Sequence, residues 1–290
     1  MGKKDLIIGA FKNYNFEQIK PWIKSINECG FEGDKVLIAI DTSNETIEKI
    51  EQHGFKAIKV SSMTNAMFHM ERFFHIYNYL KSRKNEYRFV ITTDVRDVVF
   101  QKNPSVYLVS TLGEPTSSFG RDLLAVSETL LIKNEHWNRQ NIITSFGQYF
   151  YQEVEDKEVL NVGTLAGRTG QICDLCGMLY QLSLNRADWV ADQAAYNILM
   201  NWEPYKSITK FVDLSEPWCC NLHVTNKPVE KEHFAPFILK TPPIFDGSQV
   251  LNGTTKQPFY IVHQYDRDPE LLKYFNDKYE VEELITFRTN

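Results

Sequence analysis

Between residues 5 and 93 the chain alternates short apolar, β-branched runs with stretches of helical period, and few architectures accommodate that alternation. Asp5-Leu-Ile-Ile-Gly-Ala10, Lys35-Val-Leu-Ile-Ala-Ile-Asp41, residues 56–60 and residues 89–93 read as strands. Residues 16–29 carry apolar side chains at Ile19, Trp22, Ile23 and Ile26, a helical stripe stopped by Gly30. Thr42-Ser-Asn offers a cap for a helix over 45–53, which Gly54 ends. A longer helix over 65–84 places Met67, Met70, Phe74, Tyr77 and Leu80 towards the core. Near-continuous apolar strands are those covered on both faces, and strand–helix–strand units cross over right-handed. The expected class is therefore α/β: a Rossmann-like, mostly parallel central sheet flanked by helices, with a smaller mixed C-terminal part.

Further along, residues 123–128 read as a strand ending in a carboxylate and 138–151 as one helix. Residues 159–167 form a strand interrupted by glycine, where a backbone can approach a ligand. Helices are expected over 169–185 and 189–200. The last ninety residues are looser, with prolines at 217, 228, 236, 242 and 243, and contain Phe259-Tyr-Ile-Val-His263. No repeat or linker divides the chain, so residues 1–290 are read as one domain.

Several functions are excluded by what is missing. No Gly-x-Gly-x-x-Gly follows the first strand and no Gly-Lys-Ser/Thr loop occurs, which removes the usual dinucleotide folds and phosphate-binding-loop ATPases. The same gap counts against sugar-nucleotide pyrophosphorylases. A net charge of −5 provides no polycationic face for nucleic acid. No apolar run is long enough to span a bilayer and the first residues lack the apolar segment of a signal peptide, so the expected location is cytosolic. The five cysteines, Cys29, Cys173, Cys176, Cys219 and Cys220, lack framework spacing and fit a reducing compartment. Cys173 and Cys176 lie in a helical apolar pattern and read as core residues rather than zinc ligands.

The chemistry concentrates where residues 89–93 end in Thr93-Asp-Val-Arg-Asp-Val98. Ligands bind at the carboxyl edge of an open α/β sheet, and two aspartates three apart in one turn converge on a hard cation, leaving positions open for phosphate oxygens. The same pattern also serves as a helix cap, an Asx turn, or a pair bridged by Arg96.

Together with Leu160-Asn-Val-Gly163, Asp192-Gln193 and the late His263, this order of motifs resembles the GT-A glycosyltransferases, most nearly the collagen-type glycosyltransferase domains attached to lysyl hydroxylases. The resemblance spans roughly residues 5 to 265 and rests on the order and spacing of short motifs. It implies Mn²⁺-dependent transfer (or Mg²⁺-dependent) of a sugar from a nucleoside diphosphate, by default a UDP-sugar, to a glycan or glycoprotein acceptor. About 1–104 would be the nucleotide-binding half and about 105–290 the acceptor-binding half. Asp94, Asp97 and His263 would hold the ion, and two carboxylates with a neutral imidazole suit Mn²⁺ better than Mg²⁺. Asn161 and Gly163 would approach a sugar, with Gln193 beside them. Asp192 would bind donor-sugar hydroxyls or deprotonate the acceptor, with Asp188 a second candidate, although either also serves as a helix cap. Arg96 stands where the collagen-type pattern has an aromatic residue, so base stacking falls to Tyr14. Arg72 would reach the donor or form a surface salt bridge, and Lys256 and Arg267 would meet phosphate as a C-terminal loop closes. Two other classes fit parts of the pattern: a catalytically silent GT-A-like module binding a glycan or protein, and a metal-dependent phosphohydrolase. The latter normally places its nucleophilic aspartate after the first strand, where this chain has Gly9-Ala-Phe-Lys12.

Overall fold

A computed structural model describes residues 3–63, 67–113, 121–188, 190–223 and 241–282. In chain order the elements are β1 (Lys4–Lys12), α1 (Phe16–Glu28), β2 (Asp34–Ile40), α2 (Asn44–Gln52), β3 (Lys56–Val60), α3 (Phe68–Leu80), β4 (Tyr87–Thr93), β5 (Val98–Phe100) and α4 (Pro104–Leu112). There follow β6 (Leu123–Leu131), α5 (His136–Phe146), α6 (Gln148–Val154), β7 (Glu158–Leu160), β8 (Thr164–Arg168), α7 (Thr169–Ser183), α8 (Ala191–Asn201), α9 (Tyr205–Ile208) and β9 (Thr209–Val212). The C-terminal part holds β10 (Cys219–Asn221), β11 (Ile244–Phe245), β12 (Val250–Leu251), β13 (Ile261–His263) and α10 (Pro269–Lys278).

The central sheet has the order β3-β2-β1-β4-β8-β6-β7, with β9 paired to β6. Its first four strands are parallel, as the alternation predicts. β8 runs antiparallel to both β4 and β6, and β7 antiparallel to β6, so the sheet is mostly but not wholly parallel. Period two sorts the apolar residues between its faces. Ile7, Phe11, Leu37, Phe89 and Ile91 pack with Ile19, Trp22 and Ile23 of α1 and Leu108 of α4. Leu6, Ile8, Val36, Ile38 and Val90 pack with Phe73 and Ile76 of α3, Ile172 and Leu179 of α7 and Tyr196 of α8. Each such side chain, fully buried, contributes about 1.5–3 kcal/mol of hydrophobic stabilisation. Cys173 and Cys176 are part of this second layer, as expected of core residues.

Three expectations need correction. The helix expected over 138–151 is two helices, because Gly147 sits at φ +92°, a conformation L side chains rarely adopt, and turns the chain between α5 and α6. The strand expected over 159–167 is also two, β7 and β8, split by a turn at Asn161–Gly163. On α3 Met70 and Leu80 are buried as expected, but Phe73 and Ile76 also face the sheet, Met67 is exposed, and Phe74 and Tyr77 meet α7, where Phe74 packs on Tyr180 at 5.0 Å between ring centroids. A helix wedged between a sheet and a second helix buries a wider arc than one stripe. Asn65 and Trp189, expected near two helix starts, lie outside the described residues, as do the prolines at 228 and 236.

A separate three-stranded sheet, β10-β13-β5, positions the candidate site. β5 leaves β4 through the turn Asp94–Asp97 and pairs antiparallel with β13, with Val98 opposite His263. β10 pairs parallel with β13, with Asn221 opposite His263.

Candidate active site

The turn after β4 is fixed by its backbone on both sides. The Asp94 N–H donates to Gly163 O at 2.8 Å and the Gln264 N–H donates to Asp97 O at 2.7 Å. The Tyr265 hydroxyl donates to Arg96 O at 3.1 Å. Val95 packs beneath it, and a Cβ on Gly9 would come within 2.6 Å of the Val95 side chain, so β1 needs glycine there to let the turn sit down. Trp22, fully buried, donates its indole N–H to Thr93 Oγ1 at 2.8 Å. A hydrogen-bonded, desolvated turn of this kind holds its carboxylates in place without help from their own side-chain contacts.

Asp94, Asp97 and His263 each offer a ligand atom, and those atoms lie within 4.8 Å of one another. His263 Nε2 is 3.5 Å from Asp94 Oδ2 and 3.8 Å from Asp97 Oδ1. Neighbouring ligands around an octahedral ion with bonds slightly over 2 Å stand about 3 Å apart, so the imidazole need approach each carboxylate by less than ~1 Å for the pair to share a metal. The imidazole is buried, and its Nδ1 pairs with Asn221 Oδ1 at 3.0 Å, leaving Nε2 towards the carboxylates. A Cβ on Gly163 would fall 2.4 Å from His263 Cε1 and 2.8 Å from Asp94 Oδ2; only glycine lets the β7–β8 turn close over the cluster. Two hard oxygens, one nitrogen and an open side fit Mn²⁺ or Mg²⁺.

Arg72 ties this cluster to α8. Buried on α3, its guanidinium donates through Nη1 to Asp94 Oδ1 and through Nη2 to Asp192 Oδ2, the latter at 3.0 Å. Burial raises the Asp94 carboxyl, but Arg72 and then His263 outweigh it and leave that group well below the usual carboxylate range. Asp97 goes the other way, pushed up by burial and by the like charges of Asp266 and Asp94. Burial lowers the His263 imidazole, yet Asp97 and Asp94 together leave it raised. Asp192 is raised by burial more than Arg72 lowers it, and its Oδ1 has no hydrogen-bond partner among the described residues.

Beside the cluster opens a cleft of about 200 Å³. Tyr14, Arg72, Arg96 and Arg267 line it with Asp94 and Asp97. The Tyr14 ring lies parallel to that of Phe11 at 6.2 Å, and Arg267 reaches Asp97 Oδ2 at 3.9 Å and pairs with Asp266 at 2.7 Å. The cleft thus sets three guanidinium groups, Arg72 and Arg267 among them already paired with carboxylates, beside Asp94, Asp97 and Asp266, a mixed lining that suits a metal-bound diphosphate.

The remaining expected residues are placed differently. Arg72 forms a buried bridge, not a surface salt bridge. Asn161 is buried, accepting the Gly163 N–H at 2.7 Å and donating to Glu128 Oε1 at 2.6 Å. Gln193 spends its amide on the protein: Oε1 accepts the Val162 N–H at 3.0 Å and Nε2 donates to Leu160 O and Asn138 Oδ1. It shapes the β7–β8 turn from behind. Asp188 accepts the Val190 N–H at 3.0 Å in an Asx turn ahead of α8, whose N-cap is Val190, so it neither caps that helix nor lines the cleft. Lys256, in the turn after β12, donates to Gly253 O at 2.7 Å and does not line the cleft either. Sequence reasoning missed Asn221, Glu128, Phe68, His69 and Asp266. Glu128 and Asp266 carried a signal, each a carboxylate closing or following an apolar run, whereas Asn221 carried none.

No protein-family profile and no curated protein matches the chain. Solved structures do. Galactosyltransferase LgtC in complex with donor and acceptor sugar analogs is 12% identical at a TM-score of 0.52, over 97% of this chain and 96% of that one. An active-site mutant of LgtC is 11% identical at a TM-score of 0.52, over 95% of each chain. At such identity the likeness is one of fold. This chain has a GT-A glycosyltransferase fold, a mostly parallel sheet flanked by helices, and no helix among its described residues is long and apolar enough to cross a membrane.

Proposed function

We propose that the chain is a metal-dependent glycosyltransferase that moves a sugar from a nucleoside diphosphate, by default UDP, to a glycan or glycoprotein acceptor. The observation that carries this reading is the convergence of Asp94, Asp97 and His263 at the carboxyl edge of β4, beside an arginine-lined cleft, on a fold shared with a galactosyltransferase. Asp94, Asp97 and His263 would hold a divalent ion, Mn²⁺ before Mg²⁺, which would supply neutralisation of charge on the diphosphate leaving group. Arg96 and Arg267 bind the phosphates from the cleft walls, and Tyr14 takes the base. Asp192, locked by Arg72 and almost wholly buried, suits binding of donor-sugar hydroxyls better than abstraction of an acceptor proton, which needs access to solvent-side substrate. Gly163 and Asn161 wall the ion site from behind, their polar groups spent on Asp94, Glu128 and one another. The whole chain is taken as one catalytic domain. The closer likeness to collagen-type domains rests on motif order alone.

The test is a panel of nucleotide sugars scored for Mn²⁺-dependent hydrolysis, which transferases of this kind perform slowly with water as acceptor. One donor should be hydrolysed, chelation should stop it, and Asp97→Ala should lower the rate by at least about a hundredfold, the upper end of what losing an outer-shell partner costs. Hydrolysis indifferent to chelation and to Asp97→Ala would overturn the proposal.

A further inference from the structure

We infer that Asn221 is the residue that makes His263 a metal ligand, and that its neutral charge is matched to a dianionic substrate. The inference rests on the metal reading above and adds a positioning residue to it.

Asn221 and His263 are paired across the parallel strands β10 and β13, with both side chains on the same side of that sheet. Asn221 is fully buried, and its Oδ1 faces His263 Nδ1 at 3.0 Å. An amide oxygen only accepts, so Nδ1 keeps its hydrogen and the lone pair of the neutral ring resides on Nε2, the nitrogen that faces Asp94 and Asp97. The amide is held in turn: the Cys219 thiol lies 3.9 Å from Asn221 Oδ1 and 3.8 Å from Thr164 Oγ1, which begins β8 beside Gly163. Asn221 Nδ2 has no partner among the described residues, so the amide is buried at a cost offset by the imidazole contact and the weak thiol contact alone. A polar group kept at such cost has a purpose other than packing.

Many ligating histidines rest on a carboxylate, which strengthens the ligand but adds a negative charge. Here Asp94 and Asp97 already balance a divalent ion. A further carboxylate behind His263 would weaken the positive potential that the ion, Arg72, Arg96 and Arg267 present beside Asp94, Asp97 and Asp266, and so weaken diphosphate binding, while the neutral amide fixes the tautomer without that loss. Two demands, an available Nε2 and a site that still attracts phosphate, are met together by an asparagine and by neither leucine nor aspartate.

The experiment measures Mn²⁺ binding by electron paramagnetic resonance of the free ion, without nucleotide, and separately UDP binding in saturating Mn²⁺ by calorimetry. Asn221→Leu should weaken Mn²⁺ binding about 10–100-fold. Asn221→Asp should bind Mn²⁺ at least as tightly as the parent chain, yet bind UDP with Mn²⁺ about tenfold more weakly. A purely structural role would not separate the two affinities. If Asn221→Leu fails to fold, the Asn221→Asp split alone decides. Parental Mn²⁺ affinity in folded Asn221→Leu, or no split between the two affinities in Asn221→Asp, overturns the inference. Absence of Mn²⁺ binding by the parent chain instead sinks the metal reading beneath it.

Discussion

Replacing Gly163 by alanine probes the site with a single added methyl group. The new Cβ would lie 2.4 Å from His263 Cε1, 2.8 Å from Asp94 Oδ2 and 2.9 Å from Asn161 Oδ1. The first contact is about 1 Å short of ordinary van der Waals separation, and dispersion turns steeply repulsive over that distance. None of the partners can step aside freely. Gly163 is held by its own N–H on Asn161 and its carbonyl on Asp94, and His263 is buried against Asn221. Its φ is outside the left-handed region, so the penalty is steric and not conformational. Overpacking of this size costs about 1–3 kcal/mol, a Tm loss of a few degrees for a chain this long. Metal ligation tolerates only about 0.2 Å of displacement, so the effect on Mn²⁺ binding should exceed the effect on stability. Gly163→Ala should therefore bind Mn²⁺ at least about tenfold more weakly by titration calorimetry while remaining folded at 25 °C. Gly170→Ala, in the first turn of α7 with nothing within 4 Å of its Cβ, should leave Mn²⁺ binding unchanged and raise stability by about 0.4–1 kcal/mol. Equal Mn²⁺ affinities for Gly163→Ala and the parent chain would refute the claim that the β7–β8 turn closes on the ligands.

Arg72→Met strands the buried Asp192 carboxylate and unpairs the half-buried Asp94 carboxylate, and should cost about 3 kcal/mol in urea unfolding. Combined with Asp192→Asn, which removes one of them, the loss should shrink by more than about 1 kcal/mol; additive losses would mean that the bridge carries no energy. The Cys29 thiol is pushed up to about 11, chiefly by burial, so at pH 8 it is ionised to about one part in a thousand. Its alkylation by iodoacetamide should accelerate about tenfold per pH unit from 8 to 10, and a rate that levels off below pH 9 would show that burial does not govern this thiol.

The sheet was readable because β1, β2 and β4 are apolar on both faces and the helices between them carry stops; Gly30 and Gly54 end α1 and α2 much as the sequence predicts. The antiparallel β7 and β8 were not readable, since strand direction is decided by partners that no local pattern names. Asp94 and Asp97 announced themselves by following a buried strand. His263 could be joined to them only through motif order, because the β5–β13 pairing that brings it there links residues some 165 apart in sequence. Asn221 left no trace at all: it sits on a three-residue strand whose value appears only across the sheet from His263. Gln193 and Lys256 show the reverse, polar residues near named motifs whose hydrogen bonds are spent on the chain itself.

The central claim is that three distant side chains and a diphosphate share one ion. Thermal unfolding with UDP alone, Mn²⁺ alone and both tests it directly. The account predicts that UDP and Mn²⁺ together raise the Tm by clearly more than the sum of their separate shifts, since each completes the other's coordination, and that Asp97→Ala abolishes the excess. Strictly additive shifts, or an excess that survives Asp97→Ala, would contradict it.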